Sequence, residues 1–242
     1  MQWYYGPEGD QRIWYESDEI EAIAEDELRR AGLMPSPDDP VTDLERLIER
    51  HLNAQLDQYA QLPEGVLGVT QFDARRHPVV SISSALTEAA EGDSPRPGQV
   101  GRWRATLAHE ASHIFLHRYL FDPDMAPLAS RRPDHTAAAG GAAVMRCLHR
   151  DVKDVSTQDW GRISRRRDWR EVQANRGMAA LLMPGRTFKD VAFDQMTKLG
   201  LSSLSSGPAV ADTLAVAIAD VFQVSKQAAL IRLGTLQVVQ AS

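Results

Sequence analysis

The sequence predicts an α+β fold, mostly helical, with a small β-sheet and a helical C-terminal tail. Three observations predict it. Apolar residues recur at helical spacing in several separate segments. Two β-rich runs, VLGVTQF (66–72) and PVVSISS (78–84), flank a turn-like DARRH, the pattern of a hairpin. The stretch 208–235 reads as two helical pieces broken at Val224-Ser225.

Taken in order, SDEIEAIAEDELRR (17–30) places Ile20, Ile23, Ala24 and Leu28 on one helical face, with Ser17 or Asp18 as N-cap and acids in the first turn. Gly32 and Pro35 stop it. A second helix is expected from Thr42 or Asp43, with Leu44, Leu47, Ile48, Leu52 and Leu56 as its stripe. EGDSPRPGQVG (91–101) reads as a Gly/Pro/Asp loop leading into a further helix. Residues 122–168 read as a long loop, of the length that tends to be functional; within it RCLHRDVKDV is expected to hold a short strand. Trp169, Val172, Ala179, Leu182 and Met183 are spaced as a helix ended by Pro184. The domain reading is residues 1–206 as the main domain and 207–242 as a helical, helix-turn-helix-like region.

Composition narrows the function classes. The 242 residues are 43% hydrophobic and 25% charged, which supports a sizeable core and argues against disorder. A net charge of −6 disfavours polyanion binding by the molecule as a whole. The single cysteine, Cys147, precludes an intrachain disulfide and fits a reducing cytoplasm. MQWYYGPEGD lacks the basic and apolar regions of a secretory signal, and no apolar run approaches about 20 residues, so no membrane association is expected.

The chemistry concentrates in LAHEASHIFLH (107–117). Residues four apart share a helix face, so His109 and His113 can aim ring nitrogens at one point. Glu110 lies beside them, placed to take a proton from a water next to a metal ion; this is the mechanical content of H-E-x-x-H. The competing reading is a helix whose polar residues are merely exposed or hydrogen-bonded. Leu107, Ala108, Ala111, Ile114, Phe115 and Leu116 favour a buried helix, whose polar groups need partners. His117 continues the same face, but two turns of helix separate it from His109 by about 12 Å, so it is read as packing or as a partner to a ligand.

A third ligand must come from elsewhere. Asp122, Asp124, His135, Cys147, His149, Asp168 and Glu171 are candidates. Glu171 is preferred because it opens a helix able to pack beside the first, with Asn175 one turn on to hydrogen-bond the ligand region. Cys147 with His149 is the chief rival. Two imidazoles and a carboxylate favour Zn2+, with Mn2+ and Fe2+ left open.

LAHEASHIFLH followed by EVQANRGMAALLMP resembles the ImmA/IrrE metallopeptidases, whose usual pattern reads TLAHELGHxxLH and then ExxANxFAxxLLMP. The resemblance extends over roughly residues 17 to 235. It departs at Ala111-Ser112, where the pattern has Leu-Gly, and at Gly177-Met178, where the pattern has Phe. It implies a zincin-like, gluzincin-type domain and a zinc-dependent endopeptidase. By position His109, His113 and Glu171 would be ligands and Glu110 the general base. It also implies a cytoplasmic role, cutting a partner helix-turn-helix repressor to relieve repression. An oxyanion-stabilising donor is expected from His117, Tyr119 or the long loop. The alternatives are a non-catalytic regulator that binds a repressor or DNA, and a toxin or phage-defence protease with another target.

In the tail, Ser225 is placed as an N-cap. Residues 207–242 carry two acids, Asp212 and Asp220, and two bases, Lys226 and Arg232. That neutrality favours a packing element or partner platform over DNA binding. RISRRRDWR (162–170) is arginine-rich. It reads as a solvated face, as a docking site, through Arg165, Arg166 and Arg167, for an acidic substrate segment, or as a nucleic-acid contact.

Overall fold

A computed structural model describes residues 2–5, 11–72, 77–118, 143–148, 169–201 and 207–239. Two short strands, β1 (Gln2–Tyr5) and β2 (Gln11–Trp14), pair antiparallel. Helix α1 (Ser17–Ala31) begins one residue earlier than its cap residues suggest. Glu16 is the N-cap, and the Glu19 side chain accepts from its backbone N–H at 2.9 Å. Gly32 ends the helix in the left-handed region, φ 66°.

Helix α2 (Leu44–Arg46) is capped by Asp43 and widens into a π turn over Leu47–His51. It stops there because Asn53 takes a left-handed conformation, φ 52°, that asparagine tolerates better than most residues. Leu56 therefore does not extend the helical stripe. It lies on strand β3 (Gln55–Ala60), paired parallel to β5 (Val79–Ser83) with Leu56 opposite Val80. β4 (Val66–Phe72) and β5 form the antiparallel hairpin read from the sequence, with Gln71 opposite Val79. The sheet order is β3-β5-β4-β6. β6 (Ala143–Leu148) interrupts what reads as one long loop at 122–168 and starts three residues before Arg146, where the strand was expected. It pairs antiparallel with β4, whose free edge specifies a strand more strongly than the local sequence does.

α3 (Ser84–Glu91) and α4 (Pro97–His117) follow. The Gly/Pro-rich reading of 91–101 overextends the loop. Pro97 sits in the first helical turn, where its missing N–H costs nothing, and Gln99 accepts from the Arg96 backbone at 2.8 Å. From Thr106 to His117 every residue of α4 is buried, polar ones included. The helix is enclosed by the sheet, by α3 and by α5 (Trp169–Leu182).

α6 (Gly185–Lys198), α7 (Pro208–Phe222) and α8 (Lys226–Thr235) are the last helices among the described residues. α7 and α8 meet at 111°. Ser225 caps α8, accepting from the Ala228 backbone at 3.0 Å. Leu214, Ile218, Phe222 and Leu233 belong to the same buried cluster as Ile114 and Leu116, and the Phe222 ring stacks on Phe188 at 5.6 Å. Arg232 is buried. It donates through Nε and Nη2 to the Met183 carbonyl at 3.0 and 2.7 Å and pairs with Glu21 of α1, so α8 closes over the end of α5. Gly101 on α4 touches the α7–α8 turn, where an added Cβ would lie 3.2 Å from the Val224 carbonyl carbon. Among the described residues no single helix is long and apolar enough to cross a membrane.

Candidate metal centre

The two helices α4 and α5 bring the predicted ligands together. His109, His113 and Glu171 each offer one ligand atom, and these atoms lie within 4.8 Å of one another. His109 Nε2 is 3.0 Å from Glu171 Oε2 and 3.0 Å from His113 Nε2, and His113 Nε2 is 3.5 Å from Glu171 Oε1. A tetrahedral ion with bonds of about 2.0–2.1 Å requires ligand atoms about 3.3–3.4 Å apart. The observed separations bracket that figure, so the donor set fits a metal ion.

The electrostatics agree with a site built for a cation. Burial disfavours charge on Glu171, yet the His109 hydrogen bond and the His113 ring beside it outweigh burial and hold the carboxyl far below its usual range. Burial also opposes charge on His109, but Glu171, Glu110 and Asn175 together overcome it and raise its pKa. At His113 burial wins and the pKa falls despite Glu171. Burial pushes His117 well below the ordinary imidazole range, reinforced by His113. Both histidines are fully enclosed, whereas the Glu171 side chain keeps 20% exposure, so solvent reaches the cluster from the α5 side.

Hydrogen bonds aim the candidate ligands. His109 Nδ1 donates to Asn175 Oδ1 at 3.0 Å, which turns Nε2 toward the cluster. His113 Nδ1 lies 3.1 Å from His117 Nδ1, placing His117 beside a ligand rather than in the ligand set. Arg165, Arg166, Arg167, Tyr119, Asp122, Asp124, His135, His149 and Asp168 lie outside the described residues, as do most of residues 122–168.

Glu110 faces the sheet. Thr70 on β4 donates to Glu110 Oε2 at 2.5 Å, and the carboxylate packs over Gly68. A Cβ on Gly68 would sit 2.6 Å from Glu110 Oε1 and 2.8 Å from Thr106 Cγ2. Gly68 and Thr70 thus fix where Glu110 points, and neither stands out by residue type alone. The available signal was the isolated glycine inside a strand pattern, which marks close backbone approach. Gly68→Ala is expected to displace Glu110 and to lower proteolytic rate by about 100-fold, the scale of a 1 Å misplacement at a reacting group. Metal content should be unchanged. Wild-type kinetics in that variant would show that the close approach is not needed.

The two departures from the family pattern touch each other. A Cβ on Gly177 would lie 2.6 Å from Ser112 Oγ and 2.8 Å from Ser112 Cβ. Where the pattern sets glycine on one helix and phenylalanine on the other, this chain sets serine and glycine. The α4–α5 contact is kept with small and larger residues exchanged across it. Gly177→Ala should cost about 1–3 kcal/mol of stability by overpacking. Ser112→Gly should relieve it, so that the double variant loses less than the sum of the singles in denaturant unfolding. Strictly additive losses would separate the two positions.

Comparison with protein-family models gives an independent assignment. Residues 161–234 match the IrrE N-terminal-like domain, Peptidase_M78. That span, under a third of the chain, is what is similar to an IrrE-type peptidase. The matched span holds Glu171 and Asn175 and runs into α8 as far as Gly234, while His109, Glu110 and His113 lie outside it. No curated protein and no solved structure matches the chain. The match over 161–234 together with a two-histidine, one-carboxylate cluster that could hold a metal supports a metallopeptidase.

Proposed function

We propose that the protein is a zinc-dependent endopeptidase of the cytoplasm that cuts a partner helix-turn-helix repressor and so relieves repression. The observation that carries the hydrolytic part is the convergence of His109, His113 and Glu171 beside a buried Glu110. Two imidazoles and one carboxylate suit zinc, and three protein ligands are the number found where a fourth position serves chemistry. When bound, zinc supplies Lewis acidity, polarising the scissile carbonyl and lowering the pKa of water to about 7.

The chain's own residues do the rest. Glu110 takes the proton of the attacking water and returns it to the leaving amine. Thr70 holds the carboxylate through Oε2, so the basic group does not have to be reoriented in each turnover. Asn175 keeps His109 turned inward. The repressor substrate follows from the family resemblance, and Arg165, Arg166 and Arg167 would dock an acidic segment of it.

Co-expression with a helix-turn-helix repressor encoded beside this gene should yield one specific cut that disappears with a chelator. If the purified, zinc-loaded protein leaves that repressor intact, the repressor is not the substrate. Charge reversal at Arg165 to Arg167 should slow cutting without unfolding the protein; an unchanged rate would end the docking idea.

A further inference from the structure

Beyond the ligands and Glu110, a line of hydrogen bonds runs away from the cluster along the α4–α5 interface. His113 Nδ1 and His117 Nδ1 are 3.1 Å apart, and His117 Nε2 is 3.1 Å from Gln173 Oε1. All three side chains are buried. His117 is held further by the Trp169 ring, edge to face at 5.6 Å and 90°.

Donor and acceptor chemistry gives this line a direction. The Gln173 amide oxygen can only accept, so His117 carries its proton on Nε2. His117 Nδ1 then has a lone pair, and the short contact to His113 requires His113 to donate from its own Nδ1. A neutral imidazole with its proton on Nδ1 has its lone pair on Nε2. That Nε2 is the atom facing His109 and Glu171.

We infer that Gln173, acting through His117, is a positioning residue that selects the metal-binding tautomer of His113. A side chain that donated at position 173 would reverse the line and place a proton on His113 Nε2, where a ligand lone pair is needed. Asn175 sets His109 directly; Gln173 sets His113 by two steps, from the same helix that supplies Glu171. Position 173 falls within the unspecified part of ExxAN, so the family pattern does not fix this residue.

The inference rests on the metal reading, and the test separates the two. Gln173→Glu keeps an acceptor for His117 Nε2–H, whereas Gln173→Met removes it at similar size. Two quantities are measured on the full chain: the zinc dissociation constant of the metal-free protein, and the histidine ring 15N shifts in long-range 1H–15N spectra, which report tautomers. The wild type and Gln173→Glu should show His113 protonated on Nδ1 and should bind zinc alike. Gln173→Met should show mixed His113 tautomers and bind zinc about tenfold more weakly, the scale of losing a partner that orients a ligand. His117→Phe, which cuts the line at its middle, should repeat that pattern, and thermal unfolding checks that each variant is folded. Wild-type tautomer and affinity in folded Gln173→Met would overturn the inference. A wild-type protein with the expected His113 tautomer but no zinc binding would instead overturn the metal reading and leave the relay standing.

Discussion

Glu110→Gln is expected to lower peptide-bond cleavage by about 10²–10⁴-fold or more, the range attributed to a positioned general base, while zinc stays bound at one per chain. The substitution is nearly isosteric, which matters at a site this tight. Glu110 is fully buried, and its carboxylate lies between Thr70 and the space left by Gly68. A glutamine can turn its amide oxygen to Thr70 and keep that hydrogen bond. The nitrogen then occupies the other oxygen's place, and an amide nitrogen does not accept a proton. Glu110 is outside the three-residue ligand cluster, so binding of the ion should not change. Cleavage rate, zinc per chain and thermal midpoint together check the prediction. Full turnover by the variant would remove Glu110 from the mechanism.

His113→Ala is expected to abolish stoichiometric zinc binding, weakening affinity by more than the roughly 100-fold upper cost of losing an orienting partner. The residue is central twice over. Its Nε2 lies between His109 and Glu171, and its Nδ1 anchors the line to His117 and Gln173. Truncation removes a ligand atom, opens a cavity in the α4–α5 interface and leaves His117 short of a partner. A stability loss of about 2–4 kcal/mol should accompany it. Metal analysis after dialysis, with circular dichroism as a folding control, separates loss of the site from loss of the fold. A folded His113→Ala protein that keeps one tightly bound zinc would place the metal somewhere else.

Much of the fold was legible because local rules and tertiary demands agree. Helix α1, the β4–β5 hairpin, the helical run through LAHEASHIFLH and the end of α5 at Pro184 follow from apolar period, turn chemistry and proline. Misreadings fell where two rules compete. Leu56 continues a helical spacing, yet Asn53 had already turned the chain into a strand whose partner, β5, lies more than twenty residues away. Pro97 reads as a loop residue but also suits a first helical turn. β6 has little local signal and is specified by the edge of β4.

The sequence by itself determined the local arrangement of the candidate residues: a spacing of four on a helix puts His109 and His113 on one face, and adjacency puts Glu110 next to them. It also made Glu171 the best third ligand by residue type and helical context. Only the tertiary structure decided that Glu171 stands 3.0 Å from His109, that Thr70 and Gly68 aim Glu110, and that His117 links His113 to Gln173. The reason is range. Helical periodicity fixes relations over a few residues, whereas closing 62 residues between His109 and Glu171 depends on how buried faces of α4 and α5 pack, down to Gly177 making room for Ser112.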